Sequence, residues 1–174
     1  MSAEIIINEC WKSIDGFINY QVSNLGRVRN ANTGRFLKLS HNSAGYLKVD
    51  LSKNGKRTTC QVHRLVANEF IDNPDNKKCV DHQDNNRTNN IVTNLRFATY
   101  SDNNRNVSKK QNTSSQYLGV CWDKREKKWR CQVRDKNGKV KHLGYFVNET
   151  VAGLAYNKYV SANFPEFGKL NQID

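Results

Sequence analysis

"CVDHQDNNRTNNIVTNLRFATYSDNN", Cys79–Asn104, is the stretch on which the reading of this chain turns. It is crowded with asparagine, whose short amide competes for backbone hydrogen bonds and is weak in helices and strands alike. "KCVDH" and "NLRFAT" nevertheless look like two short strands joined by the asparagine loop. Thr99, with Asp102 three residues on, is a capping signal for a following helix. Just upstream, "VHRLVANEF" sets Val62, Leu65, Val66 and Phe70 on one helical face, with Pro74 and its neighbours ending the helix. The expected order is helix, strand, loop, strand, helix.

Asp81 and His82 sit side by side at the end of the first of these strands. Asn94 follows on the returning strand and Asn103 in the last helix. Neighbouring strand residues face opposite ways, so Asp81 and His82 reach one site only if the strand ends or bends there. Hydrolysis of a phosphodiester needs a proton acceptor near neutral pH, which neutral histidine provides. It also needs charge compensation on the phosphate and leaving oxygen, which a divalent cation supplies. Magnesium takes hard oxygen ligands and keeps much of its water, so one carboxylate and one amide oxygen are a plausible protein share. On these terms Asp81 and Asn103 fit as ligands, His82 as base and Asn94 as an orienter of the loop. The same residues also suit loops for ordinary turn reasons, so spacing alone leaves a purely structural reading open.

The remaining sequence frames this segment. The chain has 174 residues, a net charge of +12 and only 37% hydrophobic residues. That composition fits small modules that lean on each other, because a module of about 60 residues buries too little surface to be robust alone. Residues 10–60 carry short alternating runs (YQVS, GRVRN, RFLKL, YLKVDLS) and an Asn-Gly turn in "KNGK", Lys53–Lys56, so a small antiparallel sheet is expected. "SKKQNTSSQ" lacks periodicity and reads as a linker. Beyond it, three strands with a second KNGK turn, Lys136–Lys139, precede a helix. Its apolar face is Ala152, Ala155, Tyr156 and Tyr159, its N-cap Asn148, and Gly153 weakens it enough that it needs its sheet.

Charge narrows the partner. Between Arg105 and Tyr145 there are twelve Lys and Arg against three acidic residues, a local +9. Such an excess favours nucleic acid. No apolar run approaches the roughly 20 residues of a membrane span. The five cysteines form no C-x-x-C pair, so a zinc ribbon and a disulfide framework are both disfavoured. An intracellular protein with reduced thiols is expected.

In "WRCQVR", Trp129, Cys131 and Val133 share one strand face, and Arg130, Gln132 and Arg134 the other. Lys124, Arg125, Lys127 and Lys128 crowd the preceding turn. A β-ribbon of this kind can enter a DNA major groove, where Arg reads guanine and Gln adenine. Trp122 shares parity with Val120 and is expected in the core. His63, beside the apolar helix face, is expected to pack rather than to touch DNA.

The stretch "VHRLVANEF…CVDHQDNNRTNNIVTNLRFATYSDNN" closely resembles the HNH nucleases of phage and intron-type homing endonucleases. "CWKSIDGFINYQVSNLGRVRN" through "GYLKVDLSKNGK" resembles the nuclease-associated modular domain that often precedes them. The resemblance implies a ββα-metal (His-Me finger) site with His82 as general base and Asn94 and Asn103 as the second and third HNH positions. Asp81 and Asn103 would hold one divalent cation, Mg²⁺ or Mn²⁺. "YLGVCWDKREKKWRCQVRDKNGKVKHLGYF…AYNKY" is similar to the Apetala/ethylene-response-factor DNA-binding domain, which implies a DNA face on Arg130, Gln132, Arg134 and His142. Leu118 and Cys121 stand where plant members often carry arginine, so no base preference carries over.

The expectation is therefore an α+β chain. Residues 1–60 form a β-rich module, 61–107 the nuclease, 108–114 a linker and 115–174 a three-stranded antiparallel sheet packed on one helix. Its function would be site-recognising hydrolysis of double-stranded DNA by a monomer, without a small-molecule cofactor. The alternative is a DNA-binding regulator with a decayed nuclease. Decay should have lost one of Asp81, His82, Asn94 or Asn103, and all four are present.

Overall fold

The computed structural model describes residues 8–106 and 113–173, so most of the expected linker lies outside the described residues. The chain divides into two compact units, Met1–Ala98 and Thr99–Asp174. The architecture is α+β, built from small antiparallel sheets and few helices.

In the first unit β1 (Trp11–Ile14), β2 (Phe17–Ser23) and β3 (Val28–Asn30) form one antiparallel sheet, and β4 (Ser40–His41), β5 (Leu47–Lys53) and β6 (Lys56–Gln61) a second. The β5–β6 turn is a two-residue loop. Lys53 pairs with Lys56, and Asn54 and Gly55 take φ of 50° and 76°. Both lie in the left-handed region that a type I′ turn demands and Asn-Gly tolerates. Chain β6 then runs straight into α1 (Val62–Phe70). Val62, Leu65 and Val66 are buried and Phe70 packs at the margin, as the periodicity predicts. The helix stops at Phe70, four residues short of Pro74, with Ile71 already extended.

A two-stranded hairpin follows: β7 (Cys79–His82) and β8 (Leu95–Ala98). One apolar core links everything so far. Ile14, Val22 and Val28 come from the first sheet, Val49 and Leu51 from the second, Val62, Leu65, Val66 and Ala67 from α1, and Val80 and Leu95 from the hairpin. Each Val or Leu buried here contributes on the order of 2 kcal/mol. The β7–β8 hairpin donates just two of these residues, so it depends on the sheets for its support.

The second unit opens with the four-residue α2 (Tyr100–Asn103), closed by the expected Thr99/Asp102 capping box. Arg105 ties that turn to its own unit. Its guanidinium donates to Asp102 at 3.0 Å and to the Asp135 carbonyl at 3.2 Å, and lies 4.2 Å over the Phe164 ring. Next come β9 (Val120–Asp123), β10 (Lys128–Arg134), β11 (Val140–Phe146) and α3 (Glu149–Asn163), the strands ordered β11-β10-β9. Asn148 caps α3 by accepting from the Val151 N–H.

Cys131, Val120, Tyr117 and Ala152 form the second core, with Trp129 and Tyr156 packed on it. Burial pushes the Cys131 thiol up to about 11, so it is inert filling rather than a nucleophile. Gly153 has a packing reason: a Cβ there would stand 3.0 Å from the Tyr117 ring. Trp122 corrects the sequence expectation. It meets Trp129 edge-to-face at 5.1 Å yet is 40% exposed, so Val120's parity carries it to the right side of the sheet but not under cover.

Candidate active site

Strand β7 ends at His82, and the chain turns at once through Gln83 and Asp84. Asp81 pairs across the ladder with Arg96, and His82 with Leu95. Both side chains are buried, at 4% and 5% exposure, although a carboxylate and an imidazole contribute little to an apolar core. Buried polar groups persist when they are bonded. Asp81 Oδ2 accepts from Arg96 Nε at 2.9 Å and Nη2 at 2.7 Å, which fixes the carboxylate at the hairpin's end. His82 Nε2 lies 2.9 Å from Asn90 Oδ1. The His82 ring also meets Tyr46 at 5.8 Å and His63 at 5.1 Å.

Asn94 organises the loop between the strands. Its Nδ2 donates to Asp84 Oδ1 at 2.9 Å and to the Asn89 carbonyl at 2.8 Å, and its Oδ1 accepts from the Asp84 N–H at 3.1 Å. Its backbone carbonyl accepts from the Gln83 N–H at 2.9 Å, one residue beyond His82. Burial would raise the Asp84 carboxyl, but bonds from Asn89, Asn86 and Asn94 and the nearby His82 outweigh it and hold the group below its usual range. The asparagines that looked idle in the sequence are thus mutual scaffolding.

His63 is packed, as expected. It is 4% exposed, and burial, then the charges of His82 and Arg64, lower its pKa to about 4, so the ring is neutral at physiological pH. Asn103 closes α2, where its N–H donates to the Thr99 carbonyl at 3.0 Å, and it belongs to the second unit. Arg96, Asn90, Asp84 and Tyr46 are site residues that sequence reasoning missed. Arg96 alone left a usable signal, since a basic residue on a returning strand can face a carboxylate across the ladder.

The residues at the hairpin suit a hard cation. Asp81 offers a buried carboxylate, and the surrounding polar groups are amides rather than thiolates. Among the described residues no three His, Cys, Asp or Glu side chains gather into a metal site, so an ion here would lean on few protein ligands and its own water.

In the second unit Lys124 and Arg125 are exposed in the β9–β10 turn. Arg130 Nη2 donates to Cys121 Sγ at 3.5 Å, and Nη1 lies 3.6 Å from the Asp123 carboxylate. Arg130 pairs with Tyr145 and Gln132 with His142, so these four stand on one sheet face. Tyr145 is 43% exposed and its ring lies 4.7 Å from that of His142. A bulge between Cys131 and Gln132 leaves Leu143 unpaired on β11 and lets it pack on the core. Arg134, exposed at the strand's end, donates to the Gly138 carbonyl at 2.9 Å. Tyr145 was missed because only the bulged register puts it opposite Arg130.

Residues 60–105 match the HNH endonuclease family, and residues 9–52 match the NUMOD4 motif. The DNA endonuclease I-HmuI of Bacillus phage SP01 is 46% identical over 90 residues, 51% of this chain and 52% of that protein. An uncharacterized HNH endonuclease, L245, of Acanthamoeba polyphaga mimivirus is 45% identical over 93 residues, 53% of this chain and 28% of that protein. The chain thus spans about half or less of the length of these curated relatives. A solved structure concerning DNA binding and cleavage by the HNH homing endonuclease I-HmuI overlays with a TM-score of 0.53 at 36% identity, covering 76% of each chain.

Proposed function

This chain belongs to the HNH homing endonucleases, and we propose from that premise that it is a site-recognising DNA endonuclease that hydrolyses phosphodiester bonds. The observation that carries the reading is the Asp81–His82 pair, buried at the end of β7 beside a loop that Asn94 staples, within the residues that match the HNH family. His82 takes a proton from the attacking water. Asn94 holds the loop that begins one residue after that imidazole.

HNH endonucleases generally use a divalent metal. Asp81 would hold it here, with Asn103, the third motif position, as the second oxygen ligand; Mg²⁺ or Mn²⁺ suits that donor set. Such an ion would offset charge on the phosphate and the leaving oxygen. Arg96 keeps the Asp81 carboxylate oriented.

The second unit would serve as a DNA-binding module of the Apetala/ethylene-response-factor kind, an assignment supported by its three-stranded sheet on one helix. Arg130, Gln132, Arg134 and His142 would meet bases or phosphates, and Lys124 and Arg125 phosphates. The protein would act on double-stranded DNA inside the cell, as a monomer that nicks one strand per engagement.

The test uses the full chain on a supercoiled random-sequence plasmid library, with and without Mg²⁺, with cut sites mapped by primer extension. Metal-dependent nicking at a restricted set of sequences is expected. Tight binding with no nicking in Mg²⁺ or Mn²⁺ would replace the enzyme by a docking protein.

A further inference from the structure

The His82 ring is gripped by a residue outside the three HNH positions. Its Nε2 lies 2.9 Å from Asn90 Oδ1, and Asn90 is 3% exposed. An amide oxygen only accepts, so this contact calls for the proton on Nε2. The Asn90 Nδ2 is buried and has no hydrogen-bond partner among the described residues, so no second side-chain bond orients the amide.

Packing does so instead. Gly26, in the turn between β2 and β3, has φ of 81°, and a Cβ there would stand 2.8 Å from Asn90 Cβ and 3.2 Å from the Asn90 carbonyl oxygen. That turn is itself closely hydrogen-bonded. Ser23 Oγ accepts from the N–H groups of Leu25 at 3.3 Å and Arg27 at 3.1 Å. The Asn24 side chain bonds Cys10 and Asn8, at 2.8 Å and 3.0 Å. The Asn24 carbonyl accepts from the Val92 N–H at 2.8 Å, pinning the turn to the chain just past Asn90.

We infer that Asn90 is a positioning residue that holds His82 as its Nε2–H tautomer, and that the Gly26 turn of the N-terminal module keeps Asn90 in place. The inference rests on the reading of His82 as general base. It gives the NUMOD4 segment a part in the catalytic centre itself: the segment supplies the wall against which the base's partner is set.

The experiment compares single-turnover nicking of the plasmid library in Mg²⁺, DNA affinity, and the ¹⁵N chemical shifts of the His82 ring. Asn90→Leu preserves shape and removes the acceptor. It should slow nicking by about tenfold or more, since a positioned base is worth about 10²–10⁴-fold. DNA affinity should stay within about twofold, and the His82 shifts should leave the single Nε2–H pattern. Asn90→Asp keeps an acceptor oxygen in the same place and should nick well above Asn90→Leu; equal rates in these two variants of similar shape would overturn the inference. Gly26→Ala should slow nicking in the same way, with unchanged affinity. If Asn90→Leu nicks at the parent rate while His82→Ala is inactive, the inference falls and the general base stands. If His82→Ala itself nicks at the parent rate, the base reading fails and takes this inference with it. Should Asn90→Leu not fold, the parent spectrum decides: a dominant Nδ1–H tautomer at His82 overturns the inference.

Discussion

The hairpin loop of the first unit and the outer sheet face of the second are both rich in polar residues, and they use them in opposite ways. Around His82 the polar groups are inward and mutually committed. Asp81 is bonded to Arg96, His82 to Asn90, and Asn94 to Asp84 and Asn89. On the β10–β11 face Arg134, His142 and Tyr145 are exposed, and Arg130 has just a weak thiol partner and a loose ion pair. A site that performs chemistry must fix its groups before substrate arrives, whereas a surface that reads a polyanion needs charge and reach. The first region should therefore fail by losing rate, the second by losing affinity.

The largest effects test that division. His82→Ala should lower the nicking rate by about 10²–10⁴-fold with DNA affinity nearly unchanged. Asp81→Asn should cost a comparable factor and also abolish the rescue of nicking by added Mg²⁺. If either variant loses affinity as steeply as rate, the separation of cutting from docking is broken.

Burial gives the next effect, visible in stability rather than activity. The His63 pKa of about 4 lies below its unfolded value near 6.5. Between those limits the unfolded chain binds a proton that the native chain refuses. Stability should therefore be whole above about pH 6.5 and fall as pH drops toward 4, by roughly 2–3 kcal/mol. Asp84, with its pKa held below the carboxylate range, keeps its contribution until still lower pH and does not blur this window. Urea unfolding from pH 7.5 to 4.5 measures the fall, and His63→Phe should flatten it. A parent chain with no pH dependence there would mean the imidazole cluster is open to water.

Much of the architecture is legible in the sequence, and the exceptions share one cause. The helix at Val62–Phe70, the Thr99/Asp102 box and the Asn148 cap depend on local spacing and appear as read. Asp81, His82 and Asn94 were named by type and interval. Asn90 and Gly26 were not, because each looks like an ordinary turn former until the fold sets them against each other. The two KNGK segments show the limit sharply. At Lys53–Lys56 the central Asn54 and Gly55 both have positive φ. At Lys136–Lys139 only Gly138 does, because Asp135 Oδ1 accepts from the N–H groups of Asn137 at 2.8 Å and Lys139 at 2.9 Å and draws the loop one residue longer. The same four letters make two turns, and the residue before them decides. Trp122 failed for a related reason: parity tells which side a residue takes, not whether anything covers it.

The smallest effects belong to the exposed face and discriminate most finely within it. Each phosphate contact should lower log affinity by about 0.9 per log unit of salt, so losing one contact flattens that slope by about one. Arg125 sits in an open turn and makes no ion pair among the described residues, and Arg125→Ala should show that loss in a binding titration from about 50 to 200 mM salt. Arg130 is held between Cys121 and Asp123, and it stands beside Tyr145 on the face proposed to read bases. Its replacement by Ala should weaken affinity for the mapped cut site by about 1–3 kcal/mol while affinity for unrelated DNA falls less. A uniform loss across sequences would make Arg130 another phosphate contact, leaving the β10–β11 face a source of attraction alone and shifting site choice to the first unit. That outcome would sharpen the contrast between the two regions, since rate and recognition would then reside together in the buried network.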